Sequence, residues 1–311
     1  MEKENKDVEK LGILQLHYYL AENLHSMDAK TYNKVETEFL KIVEETSKIL
    51  DISISTEIQA LEEGGIKAIY NFFCKKKNKK ALKSVMRYFL GILGVVIADV
   101  ISDEIKSNSE YEKLKMEKLK LEVEKLKREL KEDSEDKEQV EKNKKLIDSM
   151  AIYISEANKI KLSKSKLYDS LQKEKRIEKF SVQELDFNFK PKSKENFVPR
   201  KDFEKFIINN IIVDSDYKYD VTLEIISPVL NQSKYSWRAL YEDKVILFNL
   251  KDDSFKNDII SKGLQFSNGT KLVCELDIRQ KINDEGEIVP SKYLVYNVSQ
   301  IIYTDGTTVD V

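Results

Sequence analysis

An uninterrupted apolar run constrains the fold of this 311-residue chain more than any other feature. Eleven uncharged residues, YFLGILGVVIA, stand between Arg87 and Asp99 in a sequence of which 35% is charged. Each large apolar side chain left in water forfeits about 1.5–3 kcal/mol relative to a buried one. The run is therefore expected to be buried in a protein core, in an oligomer or in a membrane.

The length of this run is at the border for a membrane-spanning helix, which needs about 20 mostly apolar residues. Nineteen residues, 84–102, contain only the charges of Arg87 and Asp99, and six of the nine residues 75–83 are Lys. A lysine cluster beside an apolar helix is retained on the cytoplasmic side of a membrane. We therefore expect a helix over residues 81–106 that inserts into the bacterial inner membrane. The alternative is a buried helix or oligomer core in a cytoplasmic protein.

In the membrane interpretation, each polar or small residue of the helix has a role. The arginine would snorkel to the interface, and two glycines would let neighbouring helices approach closely. The aspartate could face a pore lumen, where a ring of carboxylates favours cations. The predicted residues of the pore or membrane segment are Arg87, Gly91, Gly94, Asp99 and Ser102.

A heptad pattern follows the apolar run without any Pro or Gly between them. Apolar residues recur at alternating spacings of three and four over residues 107–133, and most other positions are Lys or Glu. This spacing is that of a coiled-coil seam. The alternative is a single solvated helix held by Glu–Lys pairs. We expect an oligomer seam formed by Met116, Leu119, Val123, Leu126 and Leu130.

Residues 8–75 are predicted to form a small α/β domain. An apolar strand over residues 11–20 precedes a helix that Asp28 would cap and that ends near residue 49. Alternating apolar residues then predict a second strand over 52–58. A further helix is expected over residues 66–74.

The C-terminal part, residues 201–311, is predicted to be a small β-barrel-like domain that follows a helical and linker region over residues 139–200. Five alternating segments and the turn signals Asn268-Gly269 and Asp284-Glu285-Gly286 indicate short strands, and residues 253–261 indicate one helix. The expected fold is thus α+β: an N-terminal α/β domain, a long central apolar helix running into a coiled-coil stem, and the barrel.

Catalytic and cofactor motifs are missing from the sequence. His17 and His25 are the only histidines, and neither lies in a recognised metal or hydrolase motif. We therefore expect no enzyme, no metal and no cofactor. Residues 161–201 carry 12 basic and 6 acidic residues, so this tract is a candidate nucleic-acid contact, although a solvated helix face is the simpler interpretation. The candidate contacts are Lys164, Lys166, Tyr168, Lys173, Lys175 and Arg176.

Four segments carry a resemblance to a known family: LHSMDA (24–29), ALEEGGIK (60–67), EIISPVL (224–230) and YSWRALY (235–241). Their order around an apolar segment and a Lys/Glu-rich stem resembles bacterial phage-defence proteins, and the layout is similar to that of the Hailong channel effectors. The resemblance implies a homo-oligomer in the membrane, kept closed by a DNA oligonucleotide that a partner nucleotidyltransferase makes.

Two classes of function follow from these observations. The first is an oligomeric membrane effector of phage defence that forms a gated ion-conducting pore under the control of a ligand or partner. The second is a soluble oligomeric adaptor, in which the apolar helix forms a core and the barrel recruits another protein. A nucleic-acid-sensing scaffold is a further alternative within this class.

Overall fold

The computed structural model describes residues 8–21, 24, 26–59, 66–75, 82–99, 104–107, 109–129, 137–229, 235–267 and 269–311. Contacts divide the chain into two compact units. The α/β unit comprises Met1–Ile105, Glu110–Ile211 and Asp284–Gly286, and the barrel unit comprises Lys106–Ser109, Ile212–Asn283 and Glu287–Val311.

Helices and strands are mixed along the chain. In chain order they are β1 (Val8–Leu20), α1 (Ala29–Ile49), β2 (Ile54–Ile58), β3 (Ile66–Lys75), α2 (Leu82–Ala98), β4 (Glu104–Ser107), α3 (Ser109–Glu129), α4 (Lys137–Ser155), α5 (Asn158–Lys173), β5 (Ile177–Leu185), β6 (Asn196–Pro199), a 3-10 helix (Arg200–Phe206), β7 (Asn210–Val213), β8 (Asp216–Ser227), β9 (Trp237–Tyr241), β10 (Lys244–Leu250), α6 (Asp253–Ser261), β11 (Lys271–Ile282), β12 (Ile288–Ile302) and β13 (Thr308–Asp310).

The α/β unit is built on a five-stranded antiparallel sheet with the order β2-β3-β1-β5-β6. Three helices pack on one face of this sheet through aromatic contacts. The ring centroids of Phe39 in α1 and Tyr70 in β3 are 4.8 Å apart, and those of Phe72 in β3 and Phe89 in α2 are 6.0 Å apart. Tyr168 in α5 meets Phe180 in β5 edge to face at 6.3 Å. The opposite face of the sheet carries a small separate apolar cluster of Ile13, Ile69 and Leu185 beside polar side chains such as His17.

The N-terminal part differs from the predicted β-α-β-α order. Asp28 does cap α1, because its side-chain oxygen accepts a hydrogen bond from the backbone N–H of Thr31 at 2.8 Å. The predicted second helix over residues 66–74 is wrong, since this stretch is the strand β3. Ala68, Tyr70 and Phe72 alternate with less buried residues and all face the helices. The strand also pairs on both edges, with β2 and β1.

The predicted long central apolar helix is also wrong. The apolar run forms α2, which has 17 residues, and the strand β4 separates it from α3. The helix packs against β1, β5, β6 and α4. A Cβ atom on Gly12 of β1 would lie 2.6 Å from Leu90 Cδ1, so a larger residue at this position would require the Leu90 side chain to shift. The fully buried side chains of α2 are Val85, Phe89, Ile92, Leu93, Val96 and Ile97.

Side chains of α5 satisfy the carbonyl groups at the end of α2. The Tyr168 hydroxyl donates to the Ile97 carbonyl at 3.0 Å, and the Lys164 ammonium donates to the Asp99 carbonyl. These groups have no partner within the helix itself, so an external donor ends the helix in a stable way. The apolar run is thus a core helix with a built terminus, and its predicted role as a transmembrane segment is overturned. Within the described part of the chain, no helix combines the length and apolar character needed to cross a bilayer.

The heptad segment likewise packs within its own chain. Leu119, Val123 and Leu126 of α3 are buried in the same hydrophobic core as α2, and Met116 is partly buried against it. Leu130 lies outside the described residues. Because the seam is covered by its own chain, the apolar stripe no longer requires a second copy, and the predicted coiled-coil stem is wrong.

The barrel unit contains the five strands and the helix that the sequence predicts. Its sheet runs β10-β9-β8-β11-β12-β13, and a parallel pairing of β10 with β12 closes a five-stranded barrel. The five barrel strands are β8, β9, β10, β11 and β12 in chain order. The helix α6 lies between the third and the fourth of them, β10 and β11, which is the connection order of the OB-fold. Trp237 and Phe248, whose ring centroids are 5.9 Å apart, are buried in its core.

The buried ammonium group of Lys164 should make the stability of the protein depend on pH. Burial lowers the pKa of Lys164 from 10.5 to about 7, and the nearby Asp99 opposes this shift. Between these values the unfolded chain holds a proton that the folded protein has released, so stability rises with pH from about 7 to about 10.5 and stays at its lower level below 7. We expect Lys164→Met to remove about 1–3 kcal/mol of this rise between neutral pH and pH about 9.5.

Urea unfolding of the two proteins across this pH range measures the difference. Lys173→Met is the matched control, because Lys173 lies on the same helix but is mostly exposed and pairs with Asp169. Parallel stability curves for the wild type and Lys164→Met would contradict the assignment of the rise to Lys164.

Candidate ligand-binding pocket

A row of side chains crosses the helix-free face of the sheet. In the strand register, Lys67 of β3 lies opposite His17 of β1, His17 lies opposite Ser181 of β5, and Ser181 lies opposite Phe197 of β6. Their sequence neighbours Tyr18 and Phe180 face the helices. Because successive strand residues point to opposite faces, His17 and Ser181 point away from the helices.

Glu195, which immediately precedes β6, contacts several side chains on this face of the sheet. Its Oε1 atom accepts hydrogen bonds from the Tyr19 hydroxyl and the Ser181 hydroxyl, each at 2.5 Å. The His17 Nδ1 atom lies 3.9 Å from the same oxygen. Burial acts to raise the pKa of Glu195, but the bonds from Ser181 and Tyr19 outweigh it, so the pKa lies below its ordinary value. Glu195 is therefore a charged carboxylate held in one orientation.

The neighbours of Glu195 are also fixed in their protonation states. Burial, assisted by the charge of Lys67, lowers the pKa of His17 to about 4, so this imidazole is neutral at physiological pH. Burial and the bond to Glu195 raise the pKa of Tyr19 to about 12. The Lys179 ammonium lies 3.8 Å from the ring centroid of Tyr19 and 5.4 Å from that of Phe197, within cation–π range.

A pocket of about 530 Å³ adjoins this cluster at the β6 edge of the sheet. Such a volume lies within the range of about 300–1,000 Å³ that is typical of small-molecule sites. The C-terminal turn of α2, one face of α4 and the chain entering β6 supply its walls. The lining residues are Val95, Ala98, Asp99, Asp148, Ile152, Lys194, Glu195, Asn196 and Phe197.

The walls combine apolar surface with a few polar groups. Phe197 and Ile152 are 56% and 53% exposed, although both are large apolar residues. Glu195 presents a carboxylate whose Oε1 is already bonded to the protein, and Asp148 has no hydrogen-bond or ion-pair partner among the described residues. Chemically, this arrangement can hold an organic molecule by apolar contact and orient it by a polar group.

The cluster does not form a nucleophile–base pair. Ser181 is almost fully buried, and its hydroxyl donates to Glu195 rather than to His17. A serine nucleophile needs a base within hydrogen-bond reach, and here the hydroxyl contacts Tyr19 and a carboxylate oxygen that it shares with Tyr19. Among the described residues, no group of three or more His, Cys, Asp or Glu side chains is placed to hold a metal. The expectation of no enzyme stays a prediction.

The structure separates the residues predicted for the membrane segment. Arg87 lies in the first half of α2, Ser102 lies outside the described residues, and Asp99 lines the pocket through its position after α2. A Cβ atom on Gly91 would lie 3.9 Å from Ile147 Cγ2, and one on Gly94 would lie 3.5 Å from Asn196 Nδ2. Both are ordinary contact distances, so neither glycine marks a close helix approach.

The candidate nucleic-acid contacts do not share one surface. Lys164 and Tyr168 are fully buried, where they cap α2. Arg176 is half-buried and pairs with Glu174 at 2.8 Å. Lys166, Lys173 and Lys175 are the members of the set that remain at or near the surface.

Sequence reasoning missed Glu195, Tyr19, Ser181 and Lys179 as site residues. Alternation in β1 could have placed His17 and Tyr19 on one face, but 176 residues separate Tyr19 from Glu195. No local pattern reports such a contact. No protein-family model, curated protein or solved structure is detectably similar to this chain.

The charges around His17 make a direct test of this geometry. The chain has two histidines, so a His25→Gln background leaves one imidazole to follow by NMR during a pH titration. We expect His17 to titrate near pH 4. Lys67→Met should raise this pKa because a nearby positive charge is lost, and Glu195→Gln should lower it because a negative charge is lost.

Both variants should keep the pKa of His17 below 6.5, because burial is the largest cause of its shift. A wild-type His17 that titrates near 6.5 and responds to neither substitution would show that the cluster is not assembled as described.

Proposed function

We propose that this chain is a non-catalytic ligand-binding protein whose α/β unit holds a small organic molecule in the pocket between α2, α4 and β6. One observation carries the proposal: Glu195 stands in the pocket wall with its carboxylate fixed by Tyr19 and Ser181. A specific site benefits from a charged group that is held rigidly beside apolar surface. Because the side chain is already ordered, ligand binding costs little conformational entropy.

The exposed apolar residues of the pocket support the same function. Single exposed apolar residues are common on proteins. Here, however, Phe197 and Ile152 come from β6 and α4 and line one concavity. A ligand that covers them would gain burial energy from both sides, and Glu195 or Asp148 would fix its orientation. Control by a ligand, which is part of the function predicted from the sequence, would on this proposal act through the same pocket.

Two substitutions in the pocket walls test the proposal. We expect a fragment library screened by saturation-transfer NMR to contain molecules that bind the wild type and lose about 5- to 30-fold in affinity with Phe197→Ser or Ile152→Ser. The loss reflects about 1–2 kcal/mol of apolar contact.

Matched controls are available on the same surface. Phe187 is 60% exposed and Val140 of α4 is 52% exposed, and neither lines the pocket. Phe187→Ser and Val140→Ser should leave fragment binding unchanged. The proposal fails if no fragment binds, or if the control variants weaken binding as much as the pocket variants do.

A second function, self-association through the barrel, is favoured by an aliphatic face on β9 and β10. Val245 and Leu247 of β10 are each 59% exposed. They lie opposite Leu240 and Arg238 of β9. This is the face through which barrels of this connection order bind their ligands. It lacks the stacked aromatic rings that bases require, so another apolar surface suits it better.

A second copy of the chain is the occupant that this face fits. Glu224 of β8 lies opposite Leu240, and Arg238 lies beside Leu247, so one patch carries a charge of each sign. In a two-fold symmetric dimer the patch of one copy faces the same patch of the other copy, so a residue can contact a different residue of its partner. Arg238 can then pair with the partner's Glu224 while the aliphatic residues are buried between the copies.

Sedimentation velocity tests this self-association. We expect the wild type to sediment as a dimer or larger species at micromolar concentration, and the double variant Val245→Lys/Leu247→Lys to sediment as a monomer, because like charges are brought together at the interface. Ile260→Lys is the control, since Ile260 of α6 is 53% exposed in the same unit. A monomeric wild type, or a dimer that survives the double substitution, would rule out this interface.

A further inference from the structure

Three tyrosines cluster on the surface of the barrel unit. Tyr217 and Tyr219 belong to β8, and Tyr296 belongs to β12. The ring centroids of Tyr217 and Tyr219 are 5.1 Å apart with the planes inclined by 57°. Those of Tyr217 and Tyr296 are 6.4 Å apart with the planes inclined by 26°. Tyr217 is thus in ring contact with both of the other tyrosines, and Tyr219 is 70% exposed.

A carboxylate lies within this cluster. Glu275 of β11 is the cross-strand partner of Tyr296. Its Oε2 atom accepts a hydrogen bond from the Tyr217 hydroxyl at 2.5 Å and another from Asn297 Nδ2 at 2.8 Å. The bond to Glu275, with some burial, raises the pKa of Tyr217 to about 12, so the phenol stays neutral and keeps donating. Both donors therefore hold the carboxylate in place among the rings.

A second carboxylate lies beneath the rings and is incompletely satisfied. Asp277 is only 3% exposed, and it is the cross-strand partner of Tyr217. Its Oδ2 atom pairs with Arg279 Nε at 2.9 Å. Its Oδ1 atom is buried and has no hydrogen-bond partner among the described residues. Since a buried acceptor without a partner is costly, this oxygen is an unexplained negative pole under the tyrosine cluster.

The chemistry of the cluster selects a cation with an apolar surface. The faces of aromatic rings attract positive charge, and cages of such rings beside a carboxylate are the means by which proteins bind ammonium groups. A strongly hydrated metal ion would need several oxygen ligands directed at one point, and no group of three or more His, Cys, Asp or Glu side chains among the described residues is placed to hold one. The residues from 202 to 311 also carry 18 acidic and 12 basic side chains, which favours a cationic ligand.

We infer that Tyr217, Tyr219 and Tyr296, together with Glu275 and the buried Asp277, form a binding site for an alkylammonium group. The methyl or methylene groups of such a ligand lie against the rings, and its positive charge is balanced by Glu275, while the unpartnered Oδ1 atom of Asp277 adds to the negative potential. This site is in the barrel unit, and it is independent of the pocket lined by Phe197 and of self-association through Leu247.

Isothermal titration with choline as the probe tests the inference. We expect choline to bind the full-length protein, and the neutral isostere dimethylbutanol, which has the same shape without the charge, to bind at least about tenfold more weakly. Tyr219→Leu should weaken choline binding by about 2- to 30-fold, because it keeps apolar area but removes an aromatic face. Glu275→Gln should also weaken it, because the substitution keeps the shape of the side chain and removes its charge.

Tyr235→Leu is the matched control, since Tyr235 is 76% exposed in the barrel unit and makes no contact with the three rings. It should bind choline as the wild type does, and so should Phe197→Ser. Titration of trimethyl-lysine beside choline identifies the source of the ammonium group by whichever binds more tightly. The inference is overturned if neither compound binds, if dimethylbutanol binds as well as choline, or if Tyr235→Leu weakens binding as much as Tyr219→Leu.

Discussion

The termination of α2 by two side chains of α5 is the contact on which the α/β unit depends. The Lys164 ammonium and the Tyr168 hydroxyl bind the carbonyl groups of Asp99 and Ile97, which the helix cannot satisfy itself. These two bonds determine the residue at which α2, the most apolar helix described, ends. They therefore also determine the position of its last turn, which lines the pocket. The same two side chains lie against the ring of Phe206, so the 3-10 helix after β6 is held by the same group of residues.

Much of the local structure could be predicted from the sequence. The alternating strands of the barrel, the helix α6 and the cap of α1 by Asp28 follow from patterns within a few residues of each other. Periodicity also identified the apolar face that α3 buries, which includes Leu119, Val123 and Leu126. What periodicity could not report is which surface covers an apolar face. A stripe such as Leu119, Val123 and Leu126 has the same spacing whether it meets a second copy, a membrane or its own chain.

The errors have a common physical origin in contacts between distant residues. Periodicity alone does not distinguish a strand from a helix in a short apolar run such as β3, and pairing with β1 and β2 on both edges decided its conformation. The basic tract of residues 161–201 looked like one surface in the sequence, yet folding buries Lys164 and Tyr168 and leaves Lys173 outside. The pocket was invisible for the same reason. Its polar residue Glu195 can be recognised as a site residue only from its contact with Tyr19 of β1, which is 176 residues away in the sequence.

The strand order of the α/β sheet has a consequence for how the protein is made. β1 is a central strand whose two neighbours are β3 and β5, and about 100 residues of the chain separate those neighbours. At a synthesis rate of about 5–20 residues per second, about 5–20 seconds pass between the synthesis of β3 and that of β5. During this time the edge of β1 that pairs with β5 has no partner. During that interval Tyr18 lacks its contact with Phe180, and α2 lacks the donors of α5. The nascent chain thus exposes a strand edge and an apolar helix together, which are the features that chaperones bind and that lead to aggregation.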